Sequence, residues 1–422
     1  MDKILVHGGA TLRGAINVSG SKNASLPILA ATLLTDEDCI IRRVPDVSDT
    51  NFMVQIINAL GGEVERSSGT VRVAAKEITH TAPYDLVRRM RASVCVMGPL
   101  LARLGRAVVS LPGGCVIGNR PVDLHLRGFE ALGAKVSIEA GDITITAPNG
   151  LVGAEINLLG TNGPTVLGTG NIMMAATLAR GTTVIDGAAC EPEVVDLADF
   201  LNKMGAKIHG AGTRQITIEG VTTLHGVEHF VIPDRIEAGT FMVAAAMAGD
   251  GVTLHRVCQS HLKAITNSLT ACGHSVSFNA AGDTCTVLPG YPPCGSEITA
   301  APFPGYPTDM QAQLTAMLVT TPGVSIIRDP IFPQRFMHCS ELVRMGADIQ
   351  VDHGMSIIHG VERLSGAPVM ASDLRASAAL VLAGLTARGT TEISRVYHID
   401  RGYEHIDEKL MMLGAAIERV QI

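Results

Sequence analysis

Residues 192–206, PEVVDLADFLNKMGA, place Val194, Leu197, Leu201 and Met204 at i, i+3, i+7 and i+10, one apolar stripe of a helix. The stretch that follows, AKIHGAGTRQITIEG, alternates apolar and polar positions as a half-buried hairpin does. Gly205 stands between them, where a helix ending needs positive φ. The same signals recur along the chain. A bulky residue, then glycine, then a small or polar residue closes a helical pattern at Gly61, Gly133, Gly205, Gly273, Gly346 and Gly414. The spacings are 72, 72, 68, 73 and 68 residues, which marks internal repetition.

A second pattern repeats out of phase with the first. An apolar helix ends in a glycine or polar turn and runs into a β-branched strand, as in MAATLARGTTVIDG, AAAMAGDGVTLHRV and LAGLTARGTTEISR. One unit therefore reads strand–helix–strand–helix–strand–strand. Six units in two sets of three predict an α/β protein of two similar domains, 22–233 and 1–21 plus 234–422. The hinge falls at VIPDRIEAG. Residues 1–21 read as one strand that pairs with the second domain and closes it. A cleft between the domains is the expected ligand site.

Composition narrows the packing and the partners. Apolar residues make up 46% and aromatics only 3%, with no Trp, so Ala, Val, Ile, Leu, Met and Gly must fill the core. The net charge of −7 argues against nonspecific nucleic-acid binding, and an anionic ligand must be met by local Arg and Lys. Nine scattered cysteines without a C-x-x-C pair, and 14 histidines without H-E-x-x-H, predict neither a disulfide framework nor a metal site. With no signal-peptide pattern and no run of 18 apolar residues, a soluble cytoplasmic protein is expected, and few large aromatics favour a monomer.

The chemistry-bearing residues fall at two positions of the repeat. The starts of the apolar helices carry Lys22 and Asn23, Arg91, Thr165, Asp234, Asp309, and Asp373 with Arg375. The loops after the β-branched strands carry Asp49, Cys115 with Arg120, Glu191, Arg335 and Arg401. Helix N-termini with nearby cations suit phosphate or carboxylate groups. Each residue also has an ordinary reading. Free Cys is a common core residue, and acids before helices are common N-caps, most strongly at Asp373. The glycines of LPGGCVIG weigh against burial for Cys115.

The segments SGSKNASLPIL, LPGGCVIGNRPVDLH, PTDMQAQ, RFMH, SDLRASAALVLAG and YHIDRGYE resemble the UDP-N-acetylglucosamine 1-carboxyvinyltransferase family of enolpyruvyl transferases. The resemblance runs nearly end to end. It implies two inside-out α/β barrel domains of three units each, and no cofactor or metal. It implies transfer of the enolpyruvyl group of phosphoenolpyruvate to the sugar 3-hydroxyl of UDP-N-acetylglucosamine. Cys115 matches the general acid and thioketal former, and Asp309 the base. Lys22, Arg120 and Arg401 match the cations on phosphoenolpyruvate, with Asn23 beside them. Arg91, Pro121, Val122, Asp123, Leu124 (His125 adjoining), Gly163, Pro164, Thr165, Val166 and Ile331 match the nucleotide-sugar side. Arg335 and Arg375 match further cations, and Asp49, Glu191, Asp234 and Asp373 supporting acids. One departure stands out: the family commonly reads Ser-Val-Gly in the pyrophosphate loop, where this chain has Thr165-Val166-Leu167. The competing readings are a 3-phosphoshikimate 1-carboxyvinyltransferase, which has no matching thiol, and a non-catalytic scaffold.

Overall fold

A computed structural model describes residues 2–111, 122–291 and 293–421. The described chain divides into two compact units, one of residues 2–19 and 233–421, the other within residues 20–232.

In the second-named unit the repeat is visible as one sheet per segment. Lys207–His209, Gln215–Glu219, Thr182–Asp186 and Glu155–Asn157 lie side by side in that order. The short strand Glu155–Asn157 runs parallel to Thr182–Asp186, and the hairpin pairs antiparallel on the other side. Glu228–Phe230, Cys39–Arg42, Thr70–Ala74 and Glu63–Ser67 repeat this order. The edge strand of that sheet comes from the far end of the unit and closes it. In the middle segment, Arg106–Ser110, Asp142–Thr146 and Lys135–Glu139 form three strands, and a single parallel bridge from Thr81 to Val108 takes the place of the fourth.

The other unit holds three four-stranded sheets with the same arrangement. Residues 1–21 read from sequence as one strand; the structure has two. Lys3–His7 pairs antiparallel with Thr390–Ser394 and Ala416–Val420. Leu12–Asn17 runs parallel to Gly249–His255 in another sheet. The break lies at Gly8-Gly9, where Gly9 has φ +97° and a Cβ on Gly8 would sit 1.9 Å from the Ala387 carbonyl oxygen.

The fold is an inside-out α/β arrangement because of which helices are apolar all round. Arg235–Ala248 is buried continuously from Ile236 to Ala246, Leu374–Thr386 from Arg375 to Leu385, and Gln311–Leu318 throughout. Helices without a polar face belong inside. Lys22–Ala31 and Val166–Ala176 play the same part in residues 20–232. Other helices bury one stripe, as Lys263–Ala271 buries Ile265 and Leu269. The hairpins keep exposed positions, alternating in Glu63–Ser67. All six repeat glycines have φ between +89° and +106°. At Gly133 the ending is a Schellman motif: Ala134 N–H bonds Phe129 C=O at 3.0 Å and Gly133 N–H bonds Glu130 C=O at 2.9 Å.

Candidate active site

Cys115, Arg120 and Pro121 lie outside the described residues. The remaining candidates divide between the two units, many of them at or near helix starts.

In residues 20–232, Ser21 caps Lys22–Ala31 by accepting from Ala24 N–H at 3.2 Å. That cap fixes Lys22 and the half-buried Asn23 in the first turn. Lys22 Nζ lies 2.6 Å from Asp49 Oδ2, with the two side chains 12% and 1% exposed. Asp49 sits in the first turn of Ser48–Ala59, so one helix start presents a carboxylate to the cation of another.

Arg91 opens the 3-10 turn Arg91–Val96, and its charge is felt at His125. Val122 is buried and precedes Asp123–Ala131, leaving Asp123 exposed and Leu124 half-buried. His125 is buried, and burial, then Arg91, push it down to about 4. Its Nδ1 faces Asn171 Nδ2 at 3.0 Å. Asn171 Nδ2 also donates to Val94 C=O, and its Oδ1 accepts from Gly98 N–H, both at 2.8 Å. The amide orientation is thus fixed, and His125 accepts at Nδ1 as a neutral ring.

Gly163 and Pro164 form a two-residue strand against Leu159–Gly160. The Thr165 hydroxyl accepts from Gly168 N–H at 3.2 Å, capping Val166–Ala176. Val166 is exposed. Leu167 packs against the hydrophobic core of this unit. The departure from the family's glycine therefore goes inward, and its bulk is spent on packing.

The other unit holds a tight charged cluster. Asp309 lies in the turn Thr308–Met310. Its Oδ1 accepts from Arg335 Nη1 at 2.7 Å and its Oδ2 from Arg375 Nη2 at 2.8 Å. Arg335 and Arg375 are 6% and 3% exposed, while the Asp309 side chain keeps 28%. Burial opposes the charge on Asp309, but the two guanidinium groups outweigh it and hold the carboxyl well below its usual range. The same partner pushes Arg375 further up against its own burial. The Nε–H of each arginine is buried and makes no hydrogen bond.

Asp329 braces this cluster and was not singled out from the sequence. It takes a hydrogen bond from Thr308, and its Oδ1 accepts the N–H groups of Ile331 (3.1 Å) and Phe332 (2.9 Å). Ile331 is half-buried there. Its signal was an acid just past a β-branched strand, in VSIIRDP.

The supporting acids separate into types. Asp373 accepts from Arg375 N–H and Ala376 N–H, and Asp234 from Ile236 N–H and Glu237 N–H, so both are N-caps. Glu191 is buried at the start of Pro192–Lys203 without a side-chain cap. Arg401 is half-buried and ends the turn Val396–Arg401.

Among the described residues, no group of three or more His, Cys, Asp or Glu is placed to hold a metal ion. No described helix is long and apolar enough to cross a membrane.

The family model of EPSP synthase (3-phosphoshikimate 1-carboxyvinyltransferase) matches residues 6–410. A UDP-N-acetylglucosamine 1-carboxyvinyltransferase of Akkermansia muciniphila is 69% identical over 420 residues, covering 100% of this chain and 99% of its own. One from Methylacidiphilum infernorum is 57% identical over 421 residues, at 100% and 99% coverage. Among solved structures, the enolpyruvyl transferase NikO from Streptomyces tendae matches with a TM-score of 0.90 at 26% identity, covering 100% of this chain and 99% of that one. EPSP synthase from Acinetobacter baumannii shares the fold, with a TM-score of 0.75 at 18% identity and full coverage of both chains. The chain belongs to the EPSP synthase family of enolpyruvyl transferases, and within it to the UDP-N-acetylglucosamine 1-carboxyvinyltransferases.

Proposed function

We propose that this enzyme transfers the enolpyruvyl group of phosphoenolpyruvate to the 3-hydroxyl of UDP-N-acetylglucosamine and releases inorganic phosphate, a cytoplasmic step in making peptidoglycan precursors. The observation that carries the reading is the ionised Asp309 between two buried arginines that keep Nε–H donors in hand. A buried donor left unmet costs about 1–3 kcal/mol, so such groups suit an anionic ligand.

The chemistry divides among the residues. The substrate's CH₂ carbon must gain a proton before its neighbour becomes electrophilic, and Cys115 supplies it. The sugar oxygen then bonds to the cationic carbon, and Asp309 takes the hydroxyl proton. Return of a methyl proton to the Cys115 thiolate, with departure of phosphate, restores the double bond on the new ether. Asp309, clamped by two cations, is a weak base in the resting enzyme. It becomes effective as the attacking oxygen turns cationic and its proton acidic.

Lys22, Arg120 and Arg401 neutralise phosphoenolpyruvate, with Asn23 alongside and Asp49 holding Lys22. Arg91, Pro121–Leu124, Gly163–Val166 and Ile331 face the nucleotide sugar. Asp234 and Asp373 serve by fixing the helix starts, and Glu191 as a buried acid nearby in the repeat pattern. Arg335 and Arg375 orient Asp309.

Phosphate release measured with each acceptor tests the assignment. Wild type should release phosphate with UDP-N-acetylglucosamine and not with shikimate 3-phosphate, and Asp309→Asn should lose at least about a hundredfold in kcat. Release with shikimate 3-phosphate alone refutes it. No release with either acceptor favours a scaffold.

A further inference from the structure

Behind Asp309, within the same unit, Arg375 joins a polar network whose other members the transfer chemistry above does not use. Tyr403, Gln313, Thr240 and Arg375 come from four segments and are 2%, 0%, 1% and 3% exposed. The Thr240 hydroxyl donates to Ile236 C=O at 2.8 Å, which spends its one proton. The 2.8 Å contact between Thr240 and Tyr403 must then be a bond donated by the Tyr403 hydroxyl. The Gln313 amide nitrogen lies 3.0 Å from Tyr403 Oη and 2.9 Å from the Asp309 carbonyl oxygen. Burial pushes the phenol up, so Tyr403 stays protonated and keeps donating. Held this way, the Tyr403 ring lies with its centroid 5.3 Å from Arg375 Cζ. That distance is within the range of a cation–π contact, and here the contact is desolvated. Arg375 is thus gripped twice, by the Asp309 carboxylate at Nη2 and by the Tyr403 ring.

We propose that Tyr403 is a positioning residue for the transfer reaction, whose ring, anchored by Thr240 and Gln313, holds the Arg375 guanidinium in the orientation that presents Nη2 to Asp309. The inference rests on the reading of Asp309 as the base. Gln313 adds to it by bonding the backbone of Asp309 itself. A guanidinium that swings about its side chain leaves one carboxylate oxygen free to rotate, and the geometry of proton transfer degrades while substrate affinity does not. Tyr403 touches no reacting atom in this scheme.

Steady-state phosphate release separates this role from a structural one. Tyr403→Phe keeps the ring but removes its anchor, and kcat should fall roughly threefold with KM for both substrates held. Tyr403→Leu removes the ring, and kcat should fall roughly tenfold or more in the folded fraction measured by near-ultraviolet circular dichroism. The coupling is decisive. On an Arg375→Lys background, Tyr403→Phe should add no further loss, because the guanidinium it positions is gone. Wild-type kcat in Tyr403→Phe overturns the proposal, even if Tyr403→Leu does not fold. So does a loss confined to KM, or a Tyr403→Phe loss that multiplies fully with Arg375→Lys. Asp309→Asn run in parallel distinguishes the two levels: near-normal turnover there refutes the base assignment itself, whatever the Tyr403 variants do.

Discussion

His125 makes the scaffold around Arg91 and Asp123 acid-sensitive. Its ring must accept from Asn171, whose other bonds to Val94 and Gly98 forbid the amide to flip. A proton on Nδ1 would set two donors face to face, beside the Arg91 charge and away from water. The folded protein therefore takes up a proton on this ring only near pH 4, against 6.5 for an ordinary histidine. The unfolded chain binds more protons between those values, so stability rises with pH in that window and is lost as pH falls from 6.5 towards 4. Between pH 7 and pH 5 the loss from this one residue is about 2 kcal/mol. That is a sizeable part of an ordinary domain stability of about 5–15 kcal/mol.

Urea unfolding at pH 7 and pH 5, on wild type and His125→Asn, measures it. Asparagine keeps an acceptor where Nδ1 stood and does not titrate. The variant should lose some stability at pH 7 from the smaller side chain, yet fall about 2 kcal/mol less on going to pH 5. Equal falls in the two proteins refute the reasoning. His338 has the same displacement, to about 4, from burial first, with Asp373 and Arg335 opposed, so its unit should show acid loss of the same sign.

Further expectations follow from single contacts. A hydrogen bond with His261, against partial burial, brings Cys258 down to about 7, whereas burial lifts Cys39 and Cys272 to about 11 and Cys95, Cys285 and Cys339 to about 12. Iodoacetamide followed by peptide mass spectrometry should therefore label Cys258 before those five, with a rate that rises through pH 7; earlier labelling of any of them contradicts this. Leu167→Gly restores the residue usual in the family but removes a core contact and puts glycine in a helix, at a cost of about 1–2 kcal/mol in a melting or urea assay. It should not lower KM for the nucleotide sugar, and a tighter KM would show that Leu167 obstructs that ligand. Asp49→Ala removes the carboxylate 2.6 Å from Lys22 and should raise KM for phosphoenolpyruvate with a stability loss of about 3 kcal/mol; an unchanged KM removes Asp49 from the positioning of Lys22.

The parts of the fold legible in the sequence were those with a strong local cause. Six glycines announced helix endings because side chains rarely adopt their φ, and all six adopt it. The alternation after them gave the hairpins. Closure was harder to read, because a three-residue strand such as Glu228–Phe230 carries no period of its own and is recruited by the edge it completes. Gly8-Gly9 does not announce the break between two strands, because a glycine pair beside an apolar stretch does not say which of its neighbours turns away. At the site, residue types at equivalent repeat positions were visible, but the partners were not: nothing local to Tyr403 names Arg375.

Yet the repeat contains the rule that joins them. Packed central helices from successive units bring like positions together, so contacts recur at about one period along the chain. Asp309 and Arg375 are 66 residues apart, Thr240 and Gln313 are 73, and Gly98 and Asn171 are 73, against glycine spacings of 68 to 73. A polar group on one central helix is therefore met by a residue on the central helix about one repeat away. This is how Asp309 meets Arg375 about one repeat on, whereas Arg335 reaches the same carboxylate from 26 residues along the chain.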